Sequence, residues 1–218
     1  MTESSFLKRN GLSIAAILMM LAAWLGQAAM GHTAHNDELR EHGQAAIGFA
    51  AYLAGGDFWS ATFENWESEF LQMGVYVLLT VWLRQKGSAE SRPFEEDEEP
   101  SAPTPLSSQP RAWRRTGFVR LLYANSLSIA FLTLFVLCFG GHLIASWHKG
   151  LGEAAAHGEP AMTLAAYAMG PEFWFESFQN WQSKFLAVFS LIVLSIFLRQ
   201  KDSPQSKPVD APHSQTGG

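Results

Sequence analysis

Residues 57–86 read DFWSATFENWESEFLQMGVYVLLTVWLRQK, and residues 172–201 read EFWFESFQNWQSKFLAVFSLIVLSIFLRQK. The two stretches align without a gap at an offset of 115, and over positions 57–88 14 of 32 pairs are identical. Shared hydrophobicity alone does not produce that agreement, so the chain reads as an internal duplication. Each stretch contains 14 consecutive residues without a charge, 70–83 and 185–198. As helix they would cover about 21 Å, short of the roughly 30 Å of a bilayer core. Counted from Trp66 or Trp181, each run grows to 18 residues, with the indole rings at headgroup level. Both stretches are therefore read as membrane spans with an aromatic, amphipathic extension.

Moving outward, the run LSIAAILMMLAAWLGQAAM at 12–30 is uncharged, as is 121–147, most apolar over 126–144. They belong to the same repeat, because Asn10-x-Leu12-Ser13-Ile14-Ala15 matches Asn125-x-Leu127-Ser128-Ile129-Ala130. His42-Gly43 likewise matches His157-Gly158, and Tyr52 matches Tyr167. Lys8-Arg9 followed by an apolar stretch also fits a signal peptide. That stretch exceeds the usual signal core, and its counterpart lies mid-chain, so a span is the preferred reading. The expected fold class is an all-α membrane protein of four transmembrane helices. They form two parallel two-helix repeats, 1–86 and 113–202, with the aromatic extensions on the outer side and a pseudo-two-fold axis along the membrane normal. Of the 15 basic residues, 12 fall in the N-terminus, the segment after the second span and the C-terminal tail. By the positive-inside bias these segments, and so both termini, are cytoplasmic. The expected location is a bacterial inner (plasma) membrane.

Composition excludes several functions. With 48% apolar and 16% charged residues and a net charge of −5, there is no basic surface for nucleic acid. A single cysteine, Cys138, rules out an internal disulfide and a paired-thiol mechanism. Residues 87–112 are rich in Pro, Ser and Glu, with an acidic run at 95–99. They read as a disordered cytoplasmic linker, and 203–218 as a disordered tail.

The repeated motif is Phe-Trp-x-x-x-Phe-x-Asn-Trp-x-Ser-x-Phe-Leu. Asp57, after Gly55-Gly56, is the expected N-cap; Glu172 is a first-turn acid. Trp59, Phe63, Trp66 and Phe70 fall at steps of four and three, as do Trp174, Phe178, Trp181 and Phe185, forming one stripe on each helix. In one reading this stripe packs on the first span of its repeat, and Asn65 and Asn180 hydrogen-bond loop backbone. In the other, Asn65, Glu69, Asn180 and Lys184 line a polar vestibule, with an ion pair between Glu69 and Lys184 across the halves. The packing reading is preferred, since aromatic stripes usually pack.

Six of seven histidines, His32, His35, His42, His142, His148 and His157, lie at or beyond the ends of the first and third spans. His32-x-x-His35, with Asp37, Glu38 and Glu41 nearby, raises a zinc or copper site. Trp147 and Gly150 stand at the equivalent positions, and no metal motif is present, so no metal is expected. Gly140-Gly141 with Ala145 offers a close helix contact. No Asp, Glu, Lys or Arg falls near the centre of a span, which disfavours a proton-coupled pump. No cofactor is expected, and no constellation of nucleophile and base suggests an enzyme.

The FENWESEFLQ and FQNWQSKFLAV elements, each followed by a span ending LRQK, resemble a family of bacterial integral membrane proteins classified only as a domain of unknown function. The resemblance covers nearly the whole chain and implies a duplicated four-span protein, with no activity or substrate. The expected function is a non-enzymatic structural or interaction protein. Its expected partners are membrane lipids and either a second copy or another membrane protein. The alternative is a small oligomeric channel or transporter with an outer polar vestibule.

Overall fold

The computed structural model describes residues 3–94, 104, 105 and 107–217, in which no strand occurs. Much of the expected linker, 95–103 and 106 with its acidic run, lies outside the described residues. Among the described residues seven helices follow in order: α1 (Glu3–Glu41), α2 (Phe49–Ala54), α3 (Gly56–Trp82), α4 (Phe118–Ala124), α5 (Ser126–His157), α6 (Leu164–Met169) and α7 (Pro171–Phe197). Asp57 sits in the first turn of α3 and does not cap it, because the helix already begins at Gly56. α7 starts on Pro171 with Glu172 in its first turn, where a proline lacks nothing the helix needs.

Among the described residues, three helices are long and apolar enough to cross a membrane, over Phe6–Glu41, Ser126–His157 and Pro171–Phe197. The expected fourth span, on α3, is not among them. α3 has the 27 residues of α7, but Glu64, Glu67 and Glu69 break into its apolar part. Among the described residues, thirteen buried side chains are polar or charged and seven hydrophobic, the inverse of a water-soluble core. Large apolar side chains are meanwhile exposed along α1, α5 and α7. A polar interior inside an apolar surface suits lipid, where polar groups must find partners within the protein.

The chain forms two compact units, Met1–Phe63 with Gly141–Ala168, and Glu64–Gly140 with Met169–Gly218. Each contains segments of both sequence halves. In the first unit, Ala28, Tyr52 and Phe58 form the core, with Trp24, Ile47, Leu53 and Trp59 against it. Trp24 Nε1 donates to Thr62 Oγ1 at 3.1 Å, which fastens α3 to α1. α3 meets α5 through small residues. A Cβ on Gly56 would lie 2.8 Å from the Ala145 carbonyl oxygen, Ser60 Oγ is 2.6 Å from Ser146 Oγ, and the Phe63 ring covers Gly141. Gly140 has open space around it, so of the expected Gly140-Gly141-Ala145 surface only the latter two touch α3.

The turn after α1 is pinned by Asn36, whose Oδ1 accepts the Ile47 N–H at 2.7 Å and whose Nδ2 donates to the Ile47 carbonyl at 3.0 Å. Tyr52 lies against Gly31, where any Cβ would collide with the phenol oxygen. Burial, and then the Asp57 carboxylate, push the Tyr52 phenol above its ordinary value of 10.0. The folded state therefore favours the neutral ring. The stability that this contributes is complete below about pH 10 and is lost as pH rises through the folded value. Thermal denaturation in detergent between about pH 8 and 11 should show an alkaline loss that Tyr52→Phe flattens; an unchanged slope in the variant would assign that loss to other groups.

In the second unit the Phe139 ring packs on Phe173 at 5.2 Å and on Trp174 at 6.1 Å, which joins α7 to α5. These positions stand 115 after Trp24, Phe58 and Trp59, whose rings meet at 5.6 and 6.3 Å in the first unit. The same spacing recurs elsewhere. His32 Nε2 is 2.8 Å from the Ile47 carbonyl and Trp147 Nε1 donates to the Met162 carbonyl at 2.8 Å. α1 and α5 also end alike. Gly43 and Gly158 take positive φ of 71° and 68°, and Gln44 and Glu159 reach back to the Leu39 and Ala154 carbonyls, the Schellman closure that favours glycine.

Residues expected in the disordered linker and tail meet in this unit. Ser88 Oγ is 2.8 Å from Ser195 Oγ, Gly87 N–H donates to Thr216 Oγ1 at 3.0 Å, and Gly217 N–H to the Ser88 carbonyl at 2.9 Å. At the centre of this knot Lys207, 1% exposed, donates to backbone carbonyls.

Candidate functional site

α3 and α7 face each other in the second unit along a polar ladder. Asn180 Nδ2 donates to Glu64 Oε1, Trp181 Nε1 to Glu67 Oε1 at 3.3 Å, and Lys184 Nζ to Glu69 Oε1 at 2.5 Å. The rungs ascend together along both helices, as they do between parallel helices. Their positions follow from helical geometry: Asn180, Trp181 and Lys184 lie within one turn, on a single face. The first-half partners Glu64, Glu67 and Glu69 occupy a wider arc, and Glu67 is wholly buried while Glu69 is exposed. The Glu69–Lys184 pair is partly solvated and contributes about 0–1 kcal/mol. Glu67 is different, because a buried carboxylate is costly unless its oxygens are satisfied.

Of the expected vestibule, the structure brings Glu69 and Lys184 together. Asn180 joins them one rung away, bonded to Glu64 and to the Glu176 carbonyl, not to loop backbone. Asn65 is exposed, and its carbonyl accepts Ser68 Oγ–H at 2.8 Å. The sequence does not single out Glu64 or Glu67, whose equivalent positions hold Gln179 and Gln182.

The aromatic stripe is only partly buried. Trp59, Phe63, Trp66 and Phe70 are half-buried, whereas Trp174, Phe178 and Phe185 are exposed and Trp181 half-buried. The rings that anchor each helix are Phe58 and Phe173, one residue earlier, at 3% and 1% exposure. Both the Phe and the Trp of each Phe-Trp pair repeat, so repetition alone could not choose between them. Stripe residues stack along their own helix, Trp59 near Phe63 at 5.3 Å and Trp174 near Phe178 at 5.5 Å, and also meet the preceding long helix, Trp59 at Trp24 (6.3 Å) and Trp174 and Trp181 at Phe139 (6.1 Å each).

Most of the histidines gather in the first unit. His35 Nδ1 is 3.7 Å from Asp57 Oδ2, and the His42 and His157 rings lie 5.8 Å apart. With Glu38, Lys149 and Glu153 they line a polar cavity of about 220 Å³. Among the described residues no three His, Cys, Asp or Glu side chains are placed to hold one metal ion. His32 Nε2 lies 2.8 Å from both the Ile47 carbonyl oxygen and Asn36 Nδ2, in the position from which Trp147 Nε1–H donates to the Met162 carbonyl 115 residues later. The chemistry within reach is hydrogen bonding and ion pairing at the ladder and around the imidazoles.

A family model for a domain of unknown function, DUF6766, matches residues 3–218. The chain belongs to this family. Its boundaries enclose the ladder, the histidine cavity and the tail knot alike, so all three belong to one family domain. Neither a curated protein nor a solved structure matches the chain.

Proposed function

We propose that this is a non-enzymatic multi-pass protein of the bacterial inner membrane, with four spans in two like halves and both termini in the cytoplasm, which acts by packing with itself or with a membrane partner. The observation that carries the reading is the division of the α7 surface. Its polar side chains pair with α3, while Trp174, Phe175, Phe178, Phe185 and Phe189 remain exposed, an aromatic face of the kind that anchors interfaces. Four spans are supported by the parallel rungs between α3 and α7 and by their equal length of 27 residues. The like contacts 115 residues apart favour two repeats.

A second reading, a small oligomeric channel or transporter with a vestibule at Asn65, Glu69, Asn180 and Lys184, is favoured by Glu67. A fully buried ionisable group in a membrane helix commonly marks an ion path. The double variant Asn180→Ala/Lys184→Ala separates the two, read by native mass spectrometry and by solute flux in vesicles. Packing predicts loss of assembly or of detergent stability, with no flux in the parent protein. Intact assembly with a parental flux that the variant abolishes would replace packing by transport.

A further inference from the structure

Where α3 and α7 end, a cavity of about 330 Å³ opens between them in the second unit, at the small end of the range that holds ligands. One wall is apolar, made by Leu79, Leu83, Phe185, Val188 and Ile192; the other carries Arg84 and Glu90. Glu90 Oε2 accepts the Tyr76 hydroxyl proton at 2.9 Å. Its second oxygen, Oε1, is buried and has no hydrogen-bond partner. A buried acceptor of this kind calls for a donor.

The level of the cavity narrows the choice. Trp82, 70% exposed, closes α3 beside it, and Arg84, Lys86, Arg199 and Lys201 follow the two helices. Tryptophan and basic residues of this pattern mark the boundary between hydrocarbon and headgroups. An occupant at that depth has an apolar part for the Phe185–Ile192 wall, an anionic group for Arg84 and a cationic N–H donor for Glu90 Oε1. From this charge complementarity we infer that the cavity is a site for a zwitterionic phospholipid bearing a primary ammonium, the phosphatidylethanolamine class. The phosphate faces Arg84, whose five N–H groups allow more than one partner, and the ammonium donates to Glu90. A trimethylammonium headgroup carries the same charge but has no N–H, so it cannot satisfy that oxygen. A glycerol headgroup can donate but leaves the lipid anionic beside a carboxylate.

The site rests on the chain lying in the membrane but is independent of whether it packs or transports. Full-length protein in detergent would be titrated with phosphatidylethanolamine, phosphatidylcholine and phosphatidylglycerol and the bound lipid counted by native mass spectrometry. The expected order is ethanolamine first, by about tenfold or more over choline, the worth of a hydrogen bond to a charged group. Glu90→Gln keeps an acceptor for Tyr76 and removes the charge, and should erase most of that preference. Equal binding of the ethanolamine and choline lipids, a preference for the glycerol lipid, or an unchanged preference in Glu90→Gln would each overturn the site. Recovery of the protein in the soluble fraction without detergent would instead overturn the membrane reading on which it rests.

Discussion

Gly56→Val is expected to destabilise the protein by about 3 kcal/mol or more, the sum of an overpacking cost and a buried hydroxyl pair pulled apart. Gly56 opens α3 directly on the backbone of α5. A Cβ there would stand 2.8 Å from both the Ala145 oxygen and the Lys149 nitrogen, atoms of a helical hydrogen-bonded turn that cannot rotate away as a side chain can. The helices must separate at this point. One turn further on, Ser60 Oγ and Ser146 Oγ are 2.6 Å apart and buried, and they lose each other when the seam opens. Denaturant titration in mixed micelles measures the loss. Gly140→Ala is the matched control, since no atom lies within 4 Å of its added Cβ. That substitution should be neutral or stabilise by about 0.5–1 kcal/mol through helix propensity. Equal destabilisation by the two changes would refute the seam.

The second large effect is expected at the other unit. Lys207 Nζ donates to the carbonyls of Gly87, His213 and Gln215 at 2.5, 3.1 and 3.0 Å. Burial, and then the Arg199 guanidinium, hold its ammonium below the usual lysine range, and the surrounding carbonyl dipoles oppose that shift. Removing the ammonium strands buried carbonyls at about 1–3 kcal/mol each. Because the group ties segments outside the helices, the cost falls on local release rather than global unfolding. In Lys207→Ala, hydrogen exchange across 205–217 should rise to that of free chain, and protease should cut there, while the melting of the helices changes little. Lys207→Arg should not restore the knot, because a planar fork does not fill a compact cage of carbonyls. Unaltered protection in the alanine variant would remove Lys207 as the tie.

Much of the helical order was legible before any coordinates. The 115-residue offset pointed to like helices in each half, and the Glu69–Lys184 pair was visible as two charges of opposite sign at equivalent positions. The repeated His-Gly pairs proved to be helix ends, where glycine is required because the closing residue takes positive φ. Less was legible in α3. A helical wheel places Glu67 near the edge of a span, and only packing against Trp181 reveals that it is wholly buried. The aromatic stripe was likewise found, yet the anchoring ring is its neighbour, since period alone cannot separate adjacent members of a repeated Phe-Trp pair.

The tail and the first linker residues show the same limit from the other side. Pro, Ser and charged residues without an apolar face are read as disordered because no local pattern holds them. Their hydrogen bonds come instead from residues more than a hundred positions away, Ser88 to Ser195 and Gly87 to Thr216. What the amino-acid order determined alone is therefore what depends on near neighbours: helices, their ends and their apolar character. What the tertiary structure decided is which faces meet. Burial, the α3–α7 ladder and the cavity at Glu90 arise from pairs of surfaces, and the free energy of a contact belongs to both partners and to neither sequence segment by itself.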